Sequence, residues 1–310
     1  MAKTRILVLG ASGMLGSIVA DYLSLDVSLE IIATMRNEEM VKKAKSLIPN
    51  VDWRVFHAGD EEETLKQLNA IGKVDWIINA IGIIKPYIHD DNPAEIERAL
   101  FINSLFPHTL ARFSASTGAK VLQIATDCVY SGAKGKYVET DPHDAIDVYG
   151  KTKSLGEVFL PGTHLLRVSI IGPEPKAYFS LLEWFLHQKP NAELNGFTNH
   201  KWNGITTLHF AKICGGIIKE KIELPRAQHI IPQDEIAKYD LLRVFKNYFK
   251  RTDVVIRPTE AGKVIDRTLA TSNRDLNEQI WKAAGYLSMP PTIEDMVKEL
   301  SEFNYRLKVL

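Results

Sequence analysis

The sequence predicts a doubly wound α/β fold, a parallel sheet with helices on both faces, joined to a smaller, mainly helical C-terminal region. Three observations carry that expectation. Short apolar runs of β type alternate with longer helical stretches through the first half of the chain. A glycine-rich turn comes directly after the first of these runs and opens a helix. After Gly172 the alternation stops, and prolines and glycines interrupt the chain.

Each element has its own signal. Residues 5–9 (RILVL) form a continuous apolar run, the mark of a strand buried on both faces, and a helical pattern then runs to about Leu23. Residues 29–34 (LEIIAT) read as a second strand and 51–57 (VDWRVFH) as a weaker third. A helix over 61–71 leads into a fourth strand at 74–79 (VDWIIN). Residues 93–117 read as one long helix, with Pro93 suited to its first turn. Strands five and six are expected at 121–126 (VLQIAT) and 165–170 (LLRVSI). Pro173, Pro175, Pro190, Gly196 and Gly204 break up the stretch after the sixth strand, and helices are expected near 206–220, 237–250 and 274–286. The expected division gives residues 1–171, with roughly 205–232 returning, to the sheet domain, and 172–204 and 233–310 to a cap.

The chain has 310 residues, 45% of them hydrophobic, with 38 basic and 38 acidic side chains and no formal net charge. Such a balance argues against a nucleic-acid or membrane footprint over the whole surface, while leaving room for a local basic pocket. Cys128 and Cys214 are too few for a disulfide framework, which points to a reducing, cytoplasmic setting. The apolar stretch near the start ends at Gly10, too soon for a signal peptide, and residues 76–84 are too short to span a bilayer. The histidines are scattered and the cysteines far apart, so no metal site is expected.

Gly10-Ala11-Ser12-Gly13-Met14-Leu15-Gly16 sits between the first strand and its helix. Glycines there let the backbone turn tightly and approach a pyrophosphate, whose charge is favoured at a helix N-terminus. A dinucleotide is therefore expected against Gly10, Ser12, Gly13, Met14, Leu15 and Gly16. About twenty residues on, an acidic side chain would take the ribose 2′-hydroxyl of NAD. This chain has Thr34-Met35-Arg36 instead. An arginine pairs bidentately with a 2′-phosphate, so NADP(H) is the expected cofactor and NAD(H) the second choice. The alternative is that Arg36 is a solvated loop residue.

Tyr149-Gly150-Lys151-Thr152-Lys153 places a phenol and an ammonium four apart, on one helix face. An ammonium near a phenol lowers its pKa from about 10, and Tyr149 could then exchange a proton with a substrate oxygen near neutral pH. Thr126 ends the fifth strand with a hydroxyl suited to the same oxygen, which makes Thr126, Tyr149 and Lys153 the candidate catalytic set.

The G-x-x-G-x-x-G spacing with Y-x-x-x-K resembles the short-chain dehydrogenase/reductase superfamily. The runs Ala125-Thr126-Asp127-Cys128-Val129-Tyr130-Ser131-Gly132 and Asp147-Val148-Tyr149-Gly150-Lys151-Thr152-Lys153-Ser154-Leu155-Gly156-Glu157 look more narrowly like dTDP-4-dehydrorhamnose reductases, extended members with a Rossmann domain. Leu166-Arg167-Val168, Asn203-Gly204-Ile205-Thr206-Thr207 and Asp266-Arg267-Thr268-Leu269 continue that similarity into the cap. Ala125 and Cys128 depart from it, standing where serine and an aromatic are usual.

The resemblance implies reduction of the 4-keto group of a nucleotide-linked deoxysugar, with Tyr149 as general acid, Lys153 on the nicotinamide ribose and Thr126 on the carbonyl. It also implies cofactor contacts at Gly59, Asp60, Asn79, Ala80, Ile81 and Asn103, and a homodimer. Asn103 would support Lys153 through water or else be a satisfied polar group at a helix kink. Asp127, Cys128, Val129, Asn199, Trp202 and Asn203 are the expected substrate contacts, Trp202 alternatively anchoring the cap. Lys85 and His108 read as a solvated lysine and a core-edge histidine. Two other functions fit the same motifs: a nucleotide-sugar epimerase, and a non-catalytic NADP-binding regulatory subunit or sensor. A dehydratase fits less well, because Cys128 rather than glutamate follows Asp127.

Overall fold

The computed structural model describes residues 2–175 and 178–308. In chain order its elements are β1 (Thr4–Leu9), α1 (Met14–Leu23), β2 (Leu29–Met35), α2 (Glu38–Leu47), β3 (Asp52–Val55), α3 (Glu61–Ile71), β4 (Trp76–Asn79), α4 (Pro93–Ala99), α5 (Phe106–Thr117), β5 (Lys120–Thr126), α6 (Val148–Leu155) and β6 (Thr163–Val168). Then come β7 (Ile170–Ile171), α7 (Leu181–Leu186), β8 (Glu193–Phe197), β9 (Lys201–Trp202), β10 (Ile205–Thr206), α8 (Thr207–Glu220), β11 (Ala227–His229), β12 (Ile236–Ala237), α9 (Lys238–Tyr248), β13 (Val255–Thr259), α10 (Arg274–Ala283) and α11 (Ile293–Glu302).

Seven strands form one parallel sheet in the order β11-β6-β5-β4-β1-β2-β3. The doubly wound fold expected from the sequence is the one observed. The order reverses between β1 and β4, so a crevice opens at their C-terminal ends. Ile6, Leu7, Val8 and Leu9 of β1 are fully buried, as a central strand covered on both faces requires. On one face Ile6 and Val8 join a core with α1, α8 and α10; on the other Leu7 and Leu9 meet Leu68, Phe106 and Leu110 of α3 and α5. Each such side chain contributes about 1.5–3 kcal/mol by leaving water.

Some expectations are corrected. The long helix over 93–117 is broken into α4 and α5 by a π-helical stretch at Leu100–Leu105, and the side chain of Asn103 within it bonds to the loop after β4. The sixth strand stops at Val168, because the Ser169 carbonyl turns to accept from Ile205 N at 2.9 Å and the chain restarts as β7 beside β10. Helices α2 and α11 were not expected. Short ladders, β8 with β13 and β9 with β12, build the cap around α7 and α9. Near the other end of the chain, Tyr305 donates to Ser17 Oγ at 2.6 Å and Arg306 holds the fully buried Asp21 of α1 through its backbone N and Nε, at 2.6 and 2.7 Å. Among the described residues no helix is long and apolar enough to cross a membrane.

Candidate active site

The C-terminal ends of β1 to β4 open on a cavity of about 560 Å³. Its floor is the turn into α1. Gly10 has φ +85, and a Cβ on Gly16 would lie 2.4 Å from the Gly10 carbonyl oxygen, so α1 starts hard against the turn. Thr34 fixes the turn from β2, accepting from Gly10 N through its hydroxyl at 3.1 Å and from Ala11 N through its carbonyl at 2.8 Å. The N-cap of α1 is Gly13, with no capping side chain and no acidic residue in the first turn. Its first N–H groups, at the positive end of the helix, are thus left for an anion.

Gly10, Ser12, Gly13, Arg36, Ala80 and Ile81 line this cavity. Met14, Leu15 and Gly16 lie behind them in the helix, and Leu15 turns its side chain into the core. Other expected contacts are placed differently. Asn79 is fully buried and shapes the turn after β4, donating to Gln123 Oε1 at 2.7 Å and accepting from Ile81 N at 3.0 Å. Asp60 caps α3 by accepting from Glu63 N at 2.8 Å, and the wall there is Phe56, His57 and Ala58, not Gly59 and Asp60. Asn103 accepts from Ile83 N at 2.9 Å and donates to Ile83 O and Thr152 Oγ1 at 3.0 and 3.3 Å. Its side chain is satisfied at the π-helical kink and ties the loop after β4 to α6.

The chemical end lies across the sheet. Thr126 ends β5 and accepts from Cys128 N at 3.1 Å, which starts a tight turn. Asp147 caps α6, accepting from Gly150 N at 2.7 Å and pairing with Lys85 Nζ at 2.6 Å, so Lys85 is an anchor for the helix. Gly150 lets α6 close on the turn, since a Cβ there would fall 2.4 Å from the Cys128 carbonyl oxygen. Gly156 does the same at the far end, where a Cβ would sit 1.8 Å from Asn103 O. Tyr149 is thereby brought beside the Thr126 hydroxyl. Lys153, one turn on and buried, donates from Nζ to Ile124 O at 3.2 Å.

Burial pushes the Tyr149 phenol well above its usual pKa, with Cys128 adding to the rise and the Thr126 hydroxyl opposing it. That is opposite to the expected direction, because burial outweighs the nearby charges. Burial pulls Lys153 down to about 8, against the field of Glu157. The Cys128 thiol, raised to about 12 by burial, stays protonated and unreactive at neutral pH. Burial also raises the Asp127 carboxyl, with Arg267 opposing. Val129 is wholly buried in a small core with Tyr130 and Tyr137.

The cap loop departs most from expectation. Trp202 is buried and donates from Nε1 to Ser169 Oγ at 2.9 Å, anchoring the loop to the end of β6. Asn199 closes reciprocally on Ala261, accepting from its N at 3.0 Å and donating to its O at 2.8 Å. Asn203 does the same with Leu269, at 2.9 and 2.7 Å. His108 bonds the Leu155 carbonyl at 3.0 Å. Two cations that the sequence pattern did not assign stand near the centre instead. Lys238 begins α9, and Arg267 donates from Nε to Tyr130 O at 2.8 Å. Both feel the charge of Asp127, and among the described residues neither Lys238 Nζ nor the Arg267 terminal nitrogens have a partner. Arg267 lies in the Asp266–Leu269 motif; a lone lysine opening a helix gives no sequence signal.

Beneath the centre, the buried Arg167 of β6 pairs with Glu157 and bonds Tyr130 OH and His143 Nε2, both at 3.1 Å, and His229 Nε2 at 2.6 Å. This network joins α6, β6 and β11 and holds Glu157 near Lys153. Burial, with Arg167 beside it, lowers His229 to about 4.

The pattern of the RmlD substrate binding domain family matches residues 4–304. The chain is 28% identical over 156 residues to spore coat polysaccharide biosynthesis protein SpsK of Bacillus subtilis, covering 50% of this chain and 47% of that one. It is 25% identical over 182 residues to dTDP-4-dehydrorhamnose reductase of Mycolicibacterium smegmatis, covering 58% and 45%. It is 23% identical over 230 residues to methionine adenosyltransferase 2 subunit beta of Xenopus laevis, covering 71% and 66%. The chain thus spans about half to two thirds of these curated relatives. Among solved structures, dTDP-4-dehydrorhamnose reductase of Bacillus anthracis in complex with NADP superposes with TM-score 0.70 at 18% identity, over 96% of this chain and 98% of that one. UDP-glucuronic acid 4-epimerase of Bacillus cereus does so with TM-score 0.70 at 17% identity, over 99% and 100%. At such identities the likeness is one of fold.

Proposed function

The chain belongs to the RmlD substrate binding domain family, and from that premise we propose that it is an NADPH-dependent reductase of the 4-keto group of a nucleotide-linked deoxysugar. The observation that carries this reading is the convergence of Thr126, Tyr149 and buried Lys153 around the C-terminal end of β5. The cleft fits the cofactor: α1 has an uncapped N-terminus, Gly16 admits a close backbone approach, and Arg36 stands at the end of β2. When bound, the nicotinamide supplies the hydride.

The chain's own groups do the rest. Thr126 donates a hydrogen bond to the substrate carbonyl oxygen, where negative charge develops. Tyr149, held neutral by burial, keeps its proton until that oxygen becomes basic, then gives it up and forms the alcohol. The resulting phenolate lies one helical turn from Lys153 and regains its proton from solvent. Lys238 and Arg267 offer charge for the diphosphate of the substrate.

A second reading, a cofactor-binding subunit without turnover, draws support from the 71% of this chain aligned with a transferase β subunit. NADPH oxidation followed with dTDP-, UDP- and GDP-linked 4-keto-6-deoxy sugars separates the two. Oxidation with one sugar nucleotide, abolished in Tyr149→Phe, is the expected result. NADPH binding with no oxidation by any member of the panel would favour the subunit.

A further inference from the structure

We infer that Arg98, on α4, is the second arm of an arginine clamp that closes, together with Arg36, on the 2′-phosphate of the bound dinucleotide. The inference rests on the proposed use of NADP(H) and deepens it. Arg36 follows β2 and Arg98 lies on α4, yet both line the same 560 Å³ cavity. Both side chains are exposed, and among the described residues neither makes a hydrogen bond or an ion pair. Two like charges facing one space, with His57 beside them and Glu97 as the one lining carboxylate, leave that space with a surplus of positive charge.

The position of Arg98 is fixed by the backbone around it. Asn92 caps α4, accepting from Glu95 N at 3.4 Å. The π-helical stretch after α4 is pinned by Asn103 to Ile83 and Thr152. The helix therefore presents Arg98 beside the loop after β4, over the crevice at which the strand order reverses. A phosphate monoester has three strong acceptor oxygens, enough for both guanidinium groups. The pyrophosphate has its own donors at the start of α1, near Gly13.

The test is equilibrium binding of NADPH, NADH, 2′,5′-ADP and 5′-AMP to the full-length protein and its Arg36→Ala, Arg98→Ala and Arg98→Lys variants. Arg98→Ala is expected to weaken NADPH and 2′,5′-ADP by about tenfold and to change NADH and 5′-AMP by less than about twofold. Arg98→Lys should recover part of the loss. Equal losses for NADPH and NADH would move Arg98 to the pyrophosphate and overturn the clamp. A wild-type preference for NADPH that survives Arg98→Ala would overturn the clamp alone. Wild-type protein that binds neither dinucleotide would overturn the reductase reading, and the clamp with it.

Discussion

The glycine turn after β1 and the cap loop over residues 199–204 are both short segments rich in small and polar residues, and the structure uses them in opposite ways. In the turn, the chain's own groups are left open: α1 is uncapped, and Gly10, Ser12 and Gly13 face a cavity. In the cap loop every polar side chain proposed for substrate is already engaged, Asn199 with Ala261, Asn203 with Leu269 and Trp202 with Ser169. The difference lies in what makes each segment fold. A strand and a helix on either side hold the turn, so its side chains need contribute nothing. The cap loop contains one two-residue strand and runs into another, both too short to fix it, and side-chain bonds to distant residues take their place.

That contrast can be broken by mutation. Trp202→Ala should lower unfolding free energy by about 3–5 kcal/mol, as loss of a buried aromatic does. A denaturant midpoint unchanged from wild type would mean that the indole does not anchor the cap. Tyr149→Phe should cut turnover at least about a hundredfold, close to 2.7 kcal/mol of transition-state stabilisation, with melting temperature and NADPH affinity held. A parallel loss of stability would make the residue structural, like those of the cap.

Acid should strike the sheet domain through His229. Its folded pKa, about 4, lies below the unfolded 6.5, so between these values the unfolded chain binds more protons and stability falls as pH falls. From pH 7 to 5 the loss from this residue is about 2 kcal/mol. Denaturant melts at the two pH values should show it, and His229→Gln should flatten the difference. Smallest, Asn199→Ala should cost about 1 kcal/mol and leave KM for the sugar nucleotide unchanged. A raised KM with intact stability would return Asn199 to the substrate site.

Much of the sheet domain was legible because period and backbone dictate it. Continuous apolar runs gave the strands, and Thr126, Tyr149 and Lys153 fell together because a strand end and one helical turn set their spacing. What was not legible depended on contacts distant in sequence. Asn79 and Asn103 bear the right residue types at the right places, and their side chains bond to Gln123 and Ile83; Asp60 caps its own helix at Glu63. The phenol shift runs opposite to the expected direction because burial dominates it, and adjacency on a helix does not show how deeply a side chain is buried. Helix α2 buries only Val41 and Ala44, leaving a faint apolar stripe. Helix α11 does carry its signal in Ile293, Met296, Val297 and Leu300, and it was missed.

Arg306 and Tyr305 close over α1, the helix that carries the glycine turn. A ribosome makes α1 long before these two residues, since Tyr305 lies 288 positions after Ser17. Until they emerge, Asp21 lacks its counter-charge, and the first helix of the nascent chain docks on the sheet with a carboxylate that must stay wet. Closure over α1 therefore waits until Arg306 has emerged, a step that arrest of nascent chains just before and just after Arg306, probed by limited proteolysis, would resolve.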